Sequence, residues 1–197
     1  MKNSCSTPKP QSRQVTSLES LDFDPSTLRE TGRGQYFYHS PLSDYPIRDV
    51  TNKQGYGYKM EPHIEKGAEN YYDKCLQSKN IFPFAKGDER YLFLFTNCKM
   101  RGKHYRERLI IGYIIKQRAF WRPNRCDEGF HVAVQGDTRL YSFDDALPLA
   151  VLGKSQIHGM CKFNCDETRI ILEHFKGKRN ILAECVDEVN RLERQIA

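Results

Sequence analysis

The sequence predicts an α+β domain, in which a small mixed β-barrel with flanking helices is followed by a helical hairpin. Two observations predict this class. Between residues 90 and 143, five short apolar runs have the alternation or two-sided burial of strands, and beyond residue 153 the apolar spacing becomes helical. With 197 residues, 39% of them hydrophobic, the chain can bury one sizeable core. We divide it into a low-complexity N-terminal arm (residues 1–33), a barrel domain (residues 34–153) and a C-terminal helical hairpin (residues 154–197).

The N-terminal arm is rich in Ser, Thr, Pro and Gln and has no sustained apolar period, so we expect it to add little to the core. Its first 14 residues hold no apolar stretch of the length that a secretion signal needs, which predicts a cytoplasmic protein with reduced cysteines. The longest nearly unbroken apolar run, residues 109–115, is too short for a membrane-spanning helix. We therefore expect no membrane contact.

The segment between the arm and the strand-rich region has mixed signals. Residues 36–38 predict a short strand, and residues 41–58, with two Pro and two Gly, predict a loop. Between Ile64 and Leu76 apolar residues recur at three-, four- and seven-residue spacings, which predicts an amphipathic helix on one flank of the sheet.

Five apolar runs make up the predicted barrel. Residues 91–95 are apolar at every position, which is typical of a strand buried on both faces. In residues 108–116 alternate side chains from Leu109 to Ile115, Tyr113 among them, fall on one face, and Gly112 indicates a bend or a close approach. Residues 119–122, 130–134 and 138–143 follow. The last two runs flank Gly136-Asp137, which predicts a tight hairpin because Gly accepts a positive φ.

The C-terminal segment predicts two helices. Asp166 is expected to cap a helix over residues 167–176, Gly177 to end it, and Asn180 to cap a second helix. The apolar stripe of the second helix consists of Ile181, Cys185, Val189, Leu192 and Ile196.

Positive charge is concentrated in one segment. The formal net charge is +6, yet residues 99–125 alone hold nine basic residues and one acid. This distribution predicts a surface for a polyanion. Aromatic residues are interleaved with the cations, and because cations neutralise phosphates while exposed rings stack on unpaired bases, the combination favours nucleic acid. Residues 101–108 predict a basic loop between two apolar strands, where binding residues are often displayed.

We expect base stacking from Trp121, the only tryptophan, and from Tyr113, and phosphate contacts from eight basic residues of this segment. The alternative for each aromatic is a place in the core, with the flanking cations forming a solvated rim. The eight basic residues are Arg101, Lys103, Arg106, Arg108, Lys116, Arg118, Arg122 and Arg125.

A family resemblance adds to this interpretation. The run from Arg90 (RYLFLFT), the basic loop, the run from Leu109 (LIIGYII), Trp121 and the turn at Gly136 together resemble the core of the PUA-like superfamily, which includes the EVE, ASCH, YTH and SRA-type domains. The resemblance covers about 60 of the 197 residues. It implies a small mixed barrel that recognises RNA or DNA, often through an aromatic pocket around a modified or extruded base.

One group of residues could bind zinc. His158, Cys161, Cys165 and His174 offer four nitrogen or sulfur ligands within 17 residues. Their spacing differs from that of structural zinc sites, so thiols packed beside a helix start are the favoured interpretation and we expect no metal or other cofactor.

A group of carboxylates could serve catalysis. Asp137, Asp144 and Asp145, with Lys154 beyond them, could hold Mg²⁺ for phosphodiester hydrolysis. The pair Asp144-Asp145 is equally typical of a turn or a helix cap.

The function that the sequence predicts is binding of RNA or DNA without catalysis. One alternative is a Mg²⁺-dependent nuclease or base-modifying enzyme that uses the three aspartates. The other is a protein-interaction adaptor whose stripe on the last helix, from Cys185 to Ile196, docks a partner helix. The chain contains no Gly-rich phosphate loop, nucleophile elbow or HExxH motif, so no catalytic motif supports an enzyme.

Overall fold

The computed structural model describes residues 19–20, 24–50, 69–73, 84–100, 103–123, 130–154 and 160–196, and these form an α+β fold on one mixed sheet. The strands are β1 (Glu19–Ser20), β2 (Arg29–Tyr36), β3 (Glu69–Asp73), β4 (Glu89–Met100), β5 (Lys103–Pro123), β6 (Phe130–Leu140), β7 (Leu147–Pro148) and β8 (Met160–Phe163). The helices are α1 (Cys165–Phe175) and α2 (Leu182–Ile196), and residues 84–86 form a helical turn. Short 3₁₀ helices lie at Pro25–Thr27, Phe143–Asp145 and Leu149–Leu152.

The sheet has the strand order β3-β6-β5-β4-β2-β8, and the short strands β1 and β7 also pair with β5. Strands β4, β5 and β6 form an antiparallel meander, β2 runs parallel to β4, and β8 runs antiparallel to β2. Among the described strands the two ends of this order, β3 and β8, do not pair with each other, so the sheet is open there. The predicted α+β class is confirmed, whereas closure into a barrel is not seen in this part of the chain.

The sheet is buried on both faces because the two helices cover opposite sides. In β4, residues 92 and 94 belong to a core that includes α2, whereas residues 91, 93 and 95 belong to a core that includes α1. We call these sides the α2 face and the α1 face. The two-sided burial predicted for residues 91–95 is confirmed, and every one of these side chains is at most 8% exposed.

The two C-terminal helices form close to where the sequence predicts them. Asn164, rather than Asp166, caps α1: its side chain accepts from the Glu167 backbone N–H at 2.9 Å, and the Glu167 carboxylate accepts from the Asn164 N–H in return. Gly177 follows α1 with φ +75°, as expected for a helix stop. The helices pack mainly on the two faces of the sheet and do not pair with each other as a hairpin would. No helix in the described ranges is long and apolar enough to cross a lipid bilayer.

An extra residue in β5 changes which side chains share a face. Leu94 pairs with Gly112 but Phe95 pairs with Ile110, so Ile111 is a β-bulge. As a result Leu109 and Ile111 lie on the α2 face, whereas Tyr113 and Ile115 lie on the α1 face. The prediction that all four share one face is wrong, because simple alternation does not survive a bulge.

The predicted hairpin at Gly136-Asp137 is also wrong, because β6 continues through these residues. Gly136 pairs with Lys116, beside a second irregularity in β5 between Lys116 and Arg118. A Cβ on Gly136 would overlap the carbonyl oxygen of Ile115. The glycine therefore permits a close approach between two strands instead of a turn. Gly112 has the same role opposite the carbonyl of Arg139, which confirms the close approach predicted there.

Three other expectations change. Residues 69–73 of the predicted helix form β3, where Tyr71 pairs with Ala133 of β6; tyrosines favour strands, and the pairing satisfies the backbone. The short strand expected at residues 36–38 is wrong in its position, since β2 runs from Arg29 to Tyr36 and ends where the predicted strand begins. The sheet thus takes β2 partly from the predicted arm and β8 from the predicted C-terminal hairpin, so its limits do not coincide with the predicted boundaries at residues 33/34 and 153/154.

Candidate nucleic-acid interface

Residues 103–123 of the basic segment form strand β5, so the loop predicted at residues 101–108 is a strand from Lys103 onwards. Residues 103–108 pair with the end of β4, so that Asn97 lies opposite Arg108 and Met100 opposite Lys103. We call the paired residues 97–100 and 103–108 the basic ribbon. At roughly 3.3 Å per residue, Lys103 and Arg122 are about 60 Å apart along β5. The cations of β5 are therefore spread along a long strand. Because most of their side chains lie outside the described residues, their convergence on one surface stays a prediction.

Six of the ten predicted site residues have no described side chain. Their contacts with nucleic acid stay predictions. Arg101 and Arg125 lie outside the described residues, and for Lys103, Arg106, Trp121 and Arg122 only the strand position in β5 is described.

Lys116 is buried and does not face solvent as a phosphate ligand would. It is 2% exposed, and its Nζ donates to the carbonyl oxygens of Phe84 at 2.7 Å and Gly87 at 2.6 Å. Burial lowers the pKa of this amine to about 8, despite the nearby Glu89 carboxylate. Lys116 thus has a structural role instead of the predicted phosphate contact. Its hydrogen bonds attach β5 to the helical turn at residues 84–86 and to Gly87.

Arg108 and Arg118 lie in different surroundings. The Arg108 guanidinium lies over the ring of Tyr36, 5.3 Å from its centroid, at the base of the basic ribbon. Arg118 is exposed. Because its neighbour Ala119 belongs to the α2-face core, strand alternation turns Arg118 towards the α1 face, the side on which Tyr113 lies.

Tyr113 lines an open groove of about 490 Å³ between the α1 face of the sheet and the end of α1. Tyr113 itself is only 7% exposed, so it forms part of the wall and its ring face is mostly covered. We call this the aromatic groove. Its lining combines aromatic rings, aliphatic side chains, three cations and one carboxylate: Tyr91, Tyr113, Phe175, Ile115, Leu172, Gly177, Arg139, Lys176, Lys178 and Glu173.

The sheet register places the groove residues together. Tyr113 lies directly opposite Arg139 on β6, and Ile115 lies opposite Tyr91 on β4. The bulge at Ile111 is what turns Tyr113 to this face. Without it, Tyr113 would lie on the α2 face.

Aromatic stacking fixes the wall that α1 contributes. The rings of Tyr141 and Phe175 stack in parallel, with centroids 4.1 Å apart and planes at 9°. Tyr113 packs against both rings, at 6.3 and 6.2 Å. Phe175 is therefore held by the sheet and not only by its helix.

The hydroxyls of Tyr91 and Tyr141 have raised pKa values and are uncharged at neutral pH. Burial, and a 2.7 Å hydrogen bond from the Tyr91 hydroxyl to the Glu30 carboxylate, raise the pKa of Tyr91 to about 12. Burial and the hydrogen bond with Tyr113 also raise the pKa of Tyr141. These two hydroxyls thus add no negative charge beside the groove.

The cations of the groove have partners of different kinds. Arg139 is half exposed, and its Nε and one terminal nitrogen each lie 3.2 Å from Oδ2 of Asp137. Lys176 is largely exposed and 3.6 Å from Glu173. Lys178 donates to the backbone carbonyl of Asp145 at 2.8 Å. Arg139 and Lys176 are thus the cations most accessible to a ligand.

Comparison with protein-family models, with curated proteins and with solved structures found no match to this chain. The assignment of its function therefore depends on the chemistry of its own residues.

The four residues considered for zinc are not brought together where they are described. His158 lies outside the described residues, and His174 Nε2 is 2.8 Å from the backbone oxygen of Asp145. Cys165 is exposed, whereas burial raises the pKa of Cys161 to about 11 and keeps it a thiol. Within the described ranges, no group of three or more His, Cys, Asp or Glu residues is arranged to hold a metal ion.

The three aspartates proposed for catalysis have structural partners or lie in solvent. Asp137 bonds Arg139, and Asp144 is exposed. Asp145 accepts from the hydroxyl of Ser142, which caps the 3₁₀ helix that holds both Asp144 and Asp145. Asp144 and Asp145 thus lie in a short helical turn, as the turn interpretation expects, whereas the cap residue is Ser142. Lys154, the cation considered with them, pairs instead with Glu167 at 2.6 Å.

The apolar stripe of α2 packs against the protein's own sheet. Cys185, Val189 and Leu192 are each at most 3% exposed and belong to the α2-face core. Docking of a partner helix on this stripe, as the adaptor alternative requires, would first have to displace α2 from the sheet.

The sequence identified one groove residue, Tyr113, and missed the others. Arg139 comes three residues after Gly136. Because the sequence predicts a turn at Gly136, it does not predict that Arg139 lies opposite Tyr113. The helix ends at Phe175, and Lys176 caps it just before Gly177. An apolar residue and a cation are common at the end of any helix, so their presence here does not indicate a site. Nothing in their spacing indicates that the end of α1 lies over the middle of the sheet.

Proposed function

We propose that this protein binds nucleic acid without catalysing a reaction, with the aromatic groove as the site for a base or nucleotide. The observation that carries the proposal is the composition of that groove: an apolar aromatic wall of Tyr91, Tyr113 and Phe175 beside the accessible cations Arg139 and Lys176. Ligand sites commonly combine such an apolar wall with a few placed polar groups.

Each part of the groove matches one part of a nucleotide. Ile115, Leu172 and the largely buried rings give the groove an apolar wall against which a base can pack. The tyrosine hydroxyls can hydrogen-bond the edge of the base, and the cations suit a phosphate. Arg118, exposed and turned towards the same face, adds a cation on β5. A volume of about 490 Å³ is in the range of small-ligand sites.

We further propose that the protein is cytoplasmic and that its sheet is related to that of PUA-like domains. In that interpretation the open sheet corresponds to the barrel-forming strands of such domains, and the groove to their base-recognising pocket. The ligand is RNA or DNA, and the experiment below separates the two.

The test is a binding screen of the purified full chain. Fluorescently labelled RNA and DNA oligonucleotides, single- and double-stranded, with and without common base modifications, are titrated at two ionic strengths. We expect binding to at least one class that weakens steeply as salt rises, since phosphate contacts release counterions. No binding to any oligonucleotide at the lower ionic strength would contradict the proposal.

A further inference from the structure

Glu173 is the one carboxylate among the described residues that line the aromatic groove. Its side chain is 65% exposed, and the charge it meets is the Lys176 ammonium at 3.6 Å, which lies one helical turn away and is 75% exposed. Such a long contact between two exposed groups contributes little, so the carboxylate can take another partner. Because a carboxylate repels phosphates, its place in a groove for nucleic acid indicates a contact of another kind.

Glu173 also lines a second cavity, which adjoins the aromatic groove. This cavity has a volume of about 320 Å³ and shares two lining residues with the groove, Leu172 and Glu173. A hydrogen bond connects the two walls elsewhere, because the hydroxyl of Tyr91 in the groove donates to Glu30 in the second cavity. The Glu173 carboxylate therefore lies where the two cavities meet, next to the half-buried apolar side chain of Leu172.

The polar groups at this junction offer a ligand mainly hydrogen-bond acceptors. An ionised carboxylate can only accept, through two oxygens that lie side by side. The hydroxyl hydrogen of Tyr91 is already donated to Glu30 at 2.7 Å, so towards a ligand the Tyr91 oxygen also accepts. The neighbouring lining residues Leu172 and Ile115 are apolar. This part of the groove therefore matches a flat ring whose edge carries N–H donors.

Among the bases of RNA and DNA, guanine has the edge that fits two adjacent acceptors. Its Watson–Crick edge carries N1–H and the N2 amino group next to each other, and both can donate to one carboxylate. Adenine and cytosine each present one amino group beside a ring acceptor. Uracil and thymine present a single N–H between two carbonyl oxygens, which a carboxylate repels. The Watson–Crick edge is accessible only where the base is unpaired.

We propose that Glu173 selects an unpaired guanine by accepting hydrogen bonds from its N1–H and its N2 amino group. The guanine ring packs against Leu172, and the cations Arg139 and Lys176 contact the phosphates. Each sign of charge in the groove then has a separate role, because the cations bind the strand and the carboxylate distinguishes the base. This inference rests on the proposed function and adds to it the identity of the base.

The test uses single-stranded oligonucleotides of about 12 nucleotides that differ only at the central base. The base is guanine, inosine, adenine or uracil in a uridine background for RNA, with thymine and thymidine in their place for DNA. Inosine lacks only the N2 amino group of guanosine, so it removes one of the two proposed hydrogen bonds. We expect the full-length wild type to bind the guanine oligonucleotide about 10-fold more tightly than the uracil or thymine one, with inosine between them.

Three variants separate selection of the base from the effect of charge. Glu173→Gln should reduce the preference for guanine to less than about 3-fold, because an amide offers only one acceptor to the two donors. Asp187→Asn removes a negative charge from an exposed position of α2, on the opposite face of the sheet, and should keep the preference. Arg139→Gln should weaken binding of every oligonucleotide and also keep the preference. Thermal unfolding checks that each variant is folded.

Three results would overturn the inference while leaving the proposed function intact. The first is equal affinity of the wild type for guanine and for either inosine or uracil, with binding that weakens as salt rises. The second is a preference for guanine that Glu173→Gln retains in full. The third is binding to duplexes alone, in which the guanine edge is covered. Absence of binding to every oligonucleotide of the screen described above would overturn the proposed function, and this inference with it.

Discussion

The Nζ of Lys116 donates a 2.7 Å hydrogen bond to the carbonyl oxygen of Phe84 and lies 4.7 Å from the centre of the same residue's ring. A second hydrogen bond, to the Gly87 carbonyl, completes the attachment of β5 to the helical turn that precedes β4. A residue that the sequence places in a basic binding segment is thus a buried structural cation.

Replacement of Lys116 by Met is expected to destabilise the protein by about 2 kcal/mol or more. The substitution keeps much of the side-chain volume but leaves the Phe84 and Gly87 carbonyls without their donor. Chemical denaturation measures the change. Lys162→Met, at an exposed position of β8, is the control and should change the stability by less than about 0.5 kcal/mol. Equal stability of the two variants would contradict the structural role of Lys116.

The stability of the wild-type protein should rise with pH between 8 and 10 relative to Lys116→Met. The pKa of Lys116 is about 8 in the folded state and 10.5 in the unfolded state, so in this interval the unfolded chain binds the extra proton. As the pH rises, binding of this extra proton becomes less favourable for the unfolded chain. The free energy of unfolding of the wild type should therefore rise by about 2 kcal/mol relative to the variant. The raised pKa values of Cys161, Cys185 and Tyr91 lower the stability of both proteins as the pH rises, so the difference between wild type and variant is what reports on Lys116. A pH-independent difference between the two proteins would show that Lys116 keeps an ordinary pKa.

Gly136→Ala should be strongly destabilising. A methyl group there overlaps the Ile115 carbonyl, so β5 and β6 must separate beside their irregularity, at a cost of about 2 kcal/mol or more. Gly153→Asn is the control, because Gly153 has φ +68° and open space, which asparagine tolerates. Urea unfolding distinguishes the two. A Gly136→Ala variant as stable as wild type would favour the turn that the sequence suggested.

Leu192→Ala should cost about 3 kcal/mol of stability, because this side chain is 3% exposed within the α2-face core. Asn190→Ala, on the exposed side of the same helix, should change the stability by less than about 0.5 kcal/mol. If both variants were equally stable, the stripe would not be part of the core, and the adaptor alternative would regain support.

The fold could be predicted from the sequence wherever one local pattern decides the structure. The apolar run at residues 91–95 and the stripe of α2 each require burial whatever surrounds them, and both predictions are confirmed. The errors lie where a partner strand decides. The bulge at Ile111, the close approach at Gly136 and the pairing that makes residues 69–73 a strand depend on contacts between distant segments, which periodicity does not encode.

The candidate site was harder to predict than the fold for the same reason. The cations that are adjacent in sequence lie along one extended strand, which separates them. The groove instead combines Tyr91, Tyr113, Arg139 and Lys176, which come from three strands and the end of a helix. Only the register of the sheet and the packing of α1 bring these residues together.

The most direct test of the central claim is the salt dependence of oligonucleotide binding by wild type, Arg139→Gln and Arg194→Gln. Arg139 lines the aromatic groove, whereas Arg194 is an exposed cation on α2, at the opposite face of the sheet. We expect Arg139→Gln to weaken binding and to lower the slope of log K against log salt by about one, as loss of one phosphate contact does, while Arg194→Gln matches wild type. Equal affinities and slopes for all three proteins would contradict the assignment of the groove as the nucleic-acid site.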